Sequence, residues 1–176
     1  MFVDGDALDP TRRGVYFRGT TSVNRYRDYT EEIDERLDGR EEVYVLYVGA
    51  SSGEAVEDLA GNLGDERSYH VEAVEPHPKR ARKSGEREGI AVSRATSQML
   101  PYEDDTFDLA VCHRLLPFLD TTDKFASLKE IERVLEPSGT AVLDLNRKEE
   151  PDTRIVSVDG FPSLYADAAR YDIGES

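Results

Sequence analysis

The sequence predicts an α/β fold in which helices cover both faces of a mostly parallel, doubly wound sheet. Short apolar runs typical of buried strands alternate with segments whose apolar residues recur at helical spacing. Glycine, proline and serine residues mark the boundaries between them. With 176 residues the chain is long enough for one domain with a real core. Strands that alternate with helices predict right-handed crossovers, and therefore parallel strands.

The first predicted element is a helix that follows twenty polar, irregular residues. One helical face is formed by residues at spacings of three, four and four, namely Tyr26, Tyr29, Ile33 and Leu37. Ser22 is a suitable N-cap and Gly39 a suitable end. The two tyrosines either pack in the core or close a ligand site from this helix, and the sequence favours neither alternative.

The remaining elements follow from apolar runs and their punctuation. A continuous apolar run over residues 43–48 is typical of a strand buried on both faces. The further predicted strands are residues 71–75, 90–92, 107–112 and 140–145. The predicted helices are residues 54–63, 78–84 and about 121–135, and residues 137–139 predict a turn. We expect an N-terminal segment (1–40), a core (43–146) and a short C-terminal segment (147–176) with a strand over 155–158 and a helix over 162–170.

The acidic composition excludes several classes of function. Asp and Glu number 37 against 22 Lys and Arg, so the net charge is −15. This charge opposes binding to nucleic acid and to anionic membranes. The sequence has no apolar run of about 18 residues and starts with no secretory signal, so we expect a cytoplasmic protein without membrane insertion. Acid excess with only five lysines is typical of proteins from salt-loving organisms.

Residues that follow the predicted strands form the candidate site, because ligands of such sheets bind beyond the carboxyl ends of the strands. Gly49, Ser51 and Gly53 let the backbone of a strand-to-helix turn approach a ligand, although small residues also serve tight turns. A nicotinamide dinucleotide is disfavoured, because Glu54 stands where its fingerprint needs a small residue. Glu75 ends the second strand, where a carboxylate accepts hydrogen bonds from ribose hydroxyls.

Four segments, in this order, carry a resemblance to a known family: VLYVGASSG at 45–53, VEP at 74–76, LPYEDDTFDLAV at 100–111 and EIERVLEPSG at 130–139. The chain resembles the class I S-adenosylmethionine-dependent methyltransferases, in the subgroup that includes the ubiquinone and menaquinone biosynthesis enzymes. The resemblance implies a Rossmann-like fold, S-adenosylmethionine as cofactor and a small-molecule methyl acceptor. It also implies a further hairpin edge after the fifth strand, so the short tail predicts an incomplete edge that a like or unlike partner chain completes.

The resemblance also implies which residues bind the cofactor. The residues implied to lie under the methionine part are Gly49, Ala50, Ser51 and Gly53. Glu75 is implied to bind the ribose, and the residues implied to contact the adenine are Pro76, Thr96 and Ser97. Cys112 lies where the fourth strand opens towards the cofactor. Three positions depart from the family pattern. Tyr47 replaces an acidic residue, Ser51 a glycine and Thr96 an aspartate. These departures keep open the alternative of a non-catalytic protein on the same fold, either a cofactor-binding regulator or a partner subunit.

His113 is the candidate general base, because imidazole is the side chain that ordinarily titrates near neutrality. A buried histidine that only fixes the loop is the alternative. Cys112 is the only cysteine, which excludes an intrachain disulfide and a cysteine-built zinc site. We expect the basic cluster of Lys79, Arg80, Arg82 and Lys83 to be a solvated helix face, and the acidic run 103–105 to be a surface turn rather than a metal site.

Overall fold

A computed structural model of the chain, which describes residues 32–63, 67–146 and 152–171, confirms the predicted α/β fold. Six strands form one sheet in the order β3-β2-β1-β4-β5-β6. The strands are β1 (Glu42–Val48), β2 (Ser68–Val74), β3 (Ile90–Ser93), β4 (Phe107–Cys112), β5 (Leu135–Asp144) and β6 (Thr153–Ser157). Neighbouring strands from β1 to β5 pair in parallel, and β6 pairs antiparallel to β5.

Four α-helices that lie wholly within the described residues connect and cover the strands. They are α1 (Glu54–Asn62), α2 (Pro78–Gly85), α3 (Thr121–Val134) and α4 (Phe161–Arg170). Residues 32–36 are also helical, and Gly39 follows them with φ +79°, as expected for the predicted end of the first helix. The predictions for Ser22, Tyr26 and Tyr29 lie outside the described residues. No helix in the described ranges is long and apolar enough to cross a membrane.

The sheet separates two hydrophobic clusters. On one face Ile33 and Leu37 join side chains of α1 against the odd-numbered residues of β1, which explains why these two positions belong to one helical face. On the other face α3 and α4 pack on β4 and β5. Each residue of β4 is buried, since this strand has a neighbour on both edges and cover on both faces.

The fifth strand begins earlier than predicted. We expected a turn at residues 137–139 before a strand from 140, but β5 begins at Leu135. Phe107 pairs with Leu135 and Leu109 pairs with Thr140, so residues 136–139 bulge out of the ladder between two paired stretches. Gly139 is required there, because a Cβ would lie 2.9 Å from the main-chain oxygen of Glu136. The predicted turn is therefore a bulge inside the strand.

Two of the sequence segments that carry the resemblance contact each other through Arg133. Its Nη1 donates to the main-chain oxygen of Tyr102 at 2.8 Å, and its Nη2 donates to that of Leu100 at 3.2 Å. The guanidinium also pairs with Glu130, and Glu130 in turn accepts the Leu100 amide at 2.8 Å. This brace fixes the loop before β4 on helix α3. The pKa of Glu130 lies below its ordinary 4.5, chiefly because Arg133 hydrogen-bonds its ionised form.

Replacing Arg133 with methionine is expected to destabilise the protein by about 2 kcal/mol, because main-chain and charge-assisted hydrogen bonds are lost while the aliphatic stem remains. A carboxyl group whose folded pKa is depressed stabilises the fold above its unfolded pKa, and this contribution is lost as the pH falls through the folded pKa. The wild type should therefore lose stability below about pH 4.5, and the variant should lose less. Urea unfolding between pH 3 and 7 measures both effects. Arg170→Met, at an exposed arginine, is the matched control, and equal pH slopes in all three proteins would contradict the brace.

Candidate cofactor and active site

The candidate site lies where the strand order of the sheet reverses, between β1 and β4. Parallel strands end at the same edge, so the residues that follow β1, β2, β3 and β4 meet there. This edge brings together the loop 49–53, Glu75, the loop 94–98 and His113, as the sequence predicted. It also carries Asp144, the last residue of β5, which the sequence interpretation missed.

The loop 49–53 is a compact turn of alternating left-handed residues. Gly49, Ser51 and Gly53 have φ values of +84°, +54° and +88°. The amides of Gly49 and Ala50 both donate to the Val74 oxygen at 3.0 Å, and the Gly53 amide donates to Ala50 at 2.9 Å. Glycine suits such angles, whereas Ser51 adopts them with strain. The Ser51 hydroxyl is buried and has no hydrogen-bond partner among the described residues.

Protein atoms occupy the space into which a side chain at Gly49 or Gly53 would point. A Cβ on Gly49 would lie 3.2 Å from Cδ2 of Leu115, and one on Gly53 would lie 2.7 Å from Oγ of Ser84 and from Cδ of Arg87. Arg87 also donates from Nε to the Ser52 oxygen at 2.9 Å. The positive φ values and this close packing together favour glycine at both positions. Arg87 holds the turn from the segment after α2.

Glu75 is the most buried carboxylate beside this loop, with 1% of its surface exposed. Its Oε2 accepts the Ser51 amide at 2.8 Å. Its Oε1 accepts the His77 amide and Nε of Arg80, each at 3.1 Å. The carboxylate thus links the ends of β1 and β2 and keeps the turn in place. The basic cluster on α2 was expected to face solvent, but the Arg80 side chain is only 14% exposed and contacts the candidate site.

The loop after β3 places Thr96 and Ser97 at the same edge. Ser97 is buried, and its hydroxyl lies 2.7 Å from that of Ser127 on α3. The Ser97 side chain is therefore engaged with the helix. Nε2 of Gln98 is buried and has no hydrogen-bond partner in the described part of the chain. Gln98 is a residue that the sequence interpretation did not single out.

Beyond β4, His113 and Asp144 form a buried pair. Nδ1 of His113 lies 3.1 Å from Oδ2 of Asp144, which also accepts the Arg114 amide at 3.1 Å. The Thr153 hydroxyl donates to Oδ1 of the same carboxylate. Because Cys112 pairs with Leu143 in the ladder, the next residues of the two strands lie side by side. An acidic residue in the otherwise apolar run 141–145 was the signal that could have identified Asp144.

Cys112 is a buried thiol at the end of β4. Burial raises its pKa far above the ordinary value, and the nearby charge of Asp144 adds to this effect. Little thiolate is present at neutral pH, so Cys112 contributes packing rather than nucleophilic chemistry.

Cys112 is expected to stay unreactive towards Ellman's reagent in the native protein for hours at pH 8, because the thiol is buried and protonated. Addition of guanidinium chloride should release one equivalent of coloured product. Rapid stoichiometric reaction without denaturant would contradict the buried, protonated assignment.

Comparison with known proteins identifies the family. A sequence profile described as a methyltransferase domain matches residues 46–143, more than half of the chain. The chain belongs to this methyltransferase family. The match confirms the resemblance and the predicted cofactor, S-adenosylmethionine.

One of the curated relatives is a methyltransferase by name. A sterol 4-C-methyltransferase of Caenorhabditis elegans is 29% identical over 151 residues, which cover 76% of this chain and 43% of the relative. An uncharacterised protein of Haemophilus influenzae is 31% identical over 102 residues, which cover 54% of this chain and 39% of the relative. The chain spans 39–62% of the length of the curated relatives it matches.

A solved structure shares the fold. CalS10, an amino pentose methyltransferase of Micromonospora echinaspora with bound S-adenosylmethionine, superimposes with a TM-score of 0.61 at 23% identity. The superposition covers 78% of this chain and 55% of that one. At this identity the likeness shows the common Rossmann-like architecture.

The departures from the methyltransferase pattern have physical consequences in the structure. Tyr47 is 1% exposed and packs in the cluster beneath the turn, so a phenol fills the position of the usual carboxylate. The site nevertheless fits the cofactor, because two buried polar atoms beside it, Ser51 Oγ and Gln98 Nε2, lack partners among the described residues, and the Glu75 carboxylate can accept ribose hydroxyls. In the described ranges no group of three or more His, Cys, Asp or Glu residues could hold a metal ion.

Proposed function

We propose that the chain catalyses methyl transfer from S-adenosylmethionine to a nucleophilic atom of a small molecule. The observation that carries this proposal is a juxtaposition at one sheet edge. The glycine-containing turn and the buried Glu75 carboxylate lie next to the buried His113–Asp144 pair. A cofactor-binding half and a candidate proton acceptor therefore lie at the ends of neighbouring strands.

The proposed cofactor contacts follow the positions of the residues on this edge. Glu75 accepts the ribose hydroxyls, Pro76 and the segment with Thr96 and Ser97 border the adenine, and the turn containing Gly49, Ala50, Ser51 and Gly53 lies under the methionine part. The end of β4 at Cys112 borders the reacting end. The support is the burial of Glu75 and its hydrogen bond to the Ser51 amide, which ties ribose recognition to the shape of the turn.

S-adenosylmethionine supplies an electrophilic methyl group on a sulfonium. Most of the rate then comes from alignment of the acceptor and exclusion of water. We propose that His113 removes the proton of the acceptor. Asp144 accepts from Nδ1, which keeps the proton on that nitrogen and leaves the lone pair on Nε2. Because the pair is buried, the histidine is held in one orientation.

The alternative is a non-catalytic protein on the same fold, either a cofactor-binding regulator or a partner subunit. The apolar setting of Tyr47 favours it, because the carboxylate that normally stands there is missing. Both alternatives require the same fold, so only chemistry separates them.

A labelled-methyl assay tests the proposal. The protein is incubated with S-adenosylmethionine that carries a trideuterated methyl group. The incubation also contains a mixture of small molecules with hydroxyl, amine or acidic C–H groups as methyl acceptors. Mass spectrometry should detect products heavier by the labelled methyl group, together with S-adenosylhomocysteine. His113→Ala should abolish this product, while Asp159→Ala, at an exposed aspartate outside the candidate site, should retain it. Cofactor binding without labelled product across the mixture would contradict catalysis and favour the regulator.

We also propose that the outer edge of β6 pairs with a second chain, like or unlike. Among the described residues this strand is the last in the sheet order and pairs only with β5, so its other edge offers main-chain donors and acceptors. Analytical ultracentrifugation at micromolar concentration tests the homodimer. A monomer at all concentrations would contradict the homodimer. The partner at this edge would then have to be a different protein.

A further inference from the structure

Arg80 contacts the carboxylate of Glu75, which the proposed function assigns as the acceptor of the ribose hydroxyls. Nε of Arg80 is 3.1 Å from Oε1 of Glu75. The arginine belongs to α2, directly after the turn that contains His77. Lys79, Arg82 and Lys83 on the same helix are exposed, so Arg80 differs from its basic neighbours in pointing to the sheet edge.

The acceptor capacity of Glu75 is nearly filled by protein donors. A carboxylate offers about four lone-pair directions, two on each oxygen. Oε1 accepts the His77 amide and Arg80, and Oε2 accepts the Ser51 amide. Counting the donors among the described residues, one direction is left, on Oε2. A ribose that presents two vicinal hydroxyls needs two, so one protein donor must give way for both to bind.

Arg80 is the donor that can leave. The other two donors are main-chain amides of turns adjoining β1 and β2, and their positions are fixed by the backbone. Arg80 donates from the end of a flexible side chain, 14% of which reaches solvent. Its movement would cost the ion pair with a buried carboxylate, so it competes with the incoming hydroxyl.

We propose that Arg80 competes with a ribose hydroxyl for Oε1 of Glu75 and thereby lowers the affinity of the site for adenosyl ligands. The inference rests on the proposed function, because it takes Glu75 as the ribose acceptor. In this arrangement the arginine is an affinity-setting residue. With Arg80 in place the carboxylate holds one hydroxyl firmly, and with Arg80 removed it holds both.

The test is calorimetric titration of S-adenosylhomocysteine into the wild type, Arg80→Met and Arg80→Lys. Methionine keeps the length of the side chain without a donor, and lysine keeps the charge. Arg80→Met should bind about tenfold more tightly, as expected for one charge-assisted competitor removed. Arg80→Lys should stay near the wild type. Arg82→Met, at an exposed arginine of the same helix, is the matched control and should also bind like the wild type.

A second readout separates competition from a general structural effect. Adenosine and 2′-deoxyadenosine are titrated into the wild type and Arg80→Met. Loss of the 2′-hydroxyl should weaken binding by a larger factor in Arg80→Met than in the wild type, because only in Arg80→Met do both hydroxyls find an acceptor. A structural role of Arg80 would change both affinities by the same factor.

The outcomes are distinguishable. If the wild type binds S-adenosylhomocysteine and Arg80→Met binds equally or more weakly, the competition is overturned and the cofactor site stands. If Arg80→Met binds and the wild type does not, the competition is supported in its strongest form. If neither folded protein binds, the cofactor site is overturned together with the inference. Circular dichroism of each variant establishes that it is folded, and Arg80→Gln, which also removes the charge, should bind more tightly than the wild type.

Discussion

Glu75→Ala is expected to weaken the binding of S-adenosylhomocysteine by roughly 100-fold, because hydrogen bonds from the ribose to a charged acceptor are lost. The same change removes the acceptor of the Ser51 amide and the partner of Arg80, so the turn at residues 49–53 also loses its support. Glu75→Gln keeps the shape and one acceptor oxygen, and should weaken binding by about tenfold.

Calorimetric titration measures these affinities, and thermal unfolding establishes that each variant is folded. The matched control is Glu86→Ala, because Glu86 is an exposed glutamate directly after α2. It should bind like the wild type. Binding by Glu75→Ala within about threefold of the wild type would contradict the assignment of the ribose acceptor.

Asp144→Ala should cause the largest loss of stability, about 3–5 kcal/mol, because it breaks a fully buried charge network. The carboxylate has no exposed surface and accepts from His113, Arg114 and Thr153, which would all lose this partner. For a protein of this size the loss corresponds to a fall in Tm of roughly 10 °C.

Asp144→Asn is the informative companion variant, since it keeps the volume but removes the charge. It should fold at a lower Tm than the wild type and lose methyl transfer, because an amide oxygen orients the imidazole less firmly. Asp159→Ala, at an exposed aspartate, should leave the Tm within about 1 °C. A fall of under about 3 °C for Asp144→Ala would contradict the buried network.

The fold could be predicted largely because β1 and β4, at the centre of the sheet, each coincide with one mostly apolar run. β4 was predicted at residues 107–112 and is observed at Phe107–Cys112, since all six residues of this strand are buried and only Asp108 among them is polar. The bulge in β5 was not predictable, because closely spaced proline and glycine residues such as Pro137 and Gly139 are typical of a turn between elements. Only the pairing of Leu135 with Phe107 places these residues inside a strand.

The candidate site was predictable only where position along a strand determines it. Glu75 ends one predicted strand and His113 follows another, so their common edge could be inferred from topology. Asp144 lies within a strand, and Arg80 belongs to a basic run that resembles a solvated helix face. Their roles depend on which side chain points to the sheet edge, and that follows from tertiary packing. The halophilic origin suggested by the composition stays a prediction.

A crystal structure of the protein with S-adenosylhomocysteine would show whether Glu75 and the turn at residues 49–53 bind the cofactor. We expect a ribose hydroxyl within hydrogen-bonding distance of the Glu75 carboxylate and the amino acid part over the turn at residues 49–53. In Arg80→Met the second ribose hydroxyl should lie within the same distance. A nucleoside bound away from Glu75 would contradict the account, as would crystals grown at saturating ligand that show no ligand at this edge.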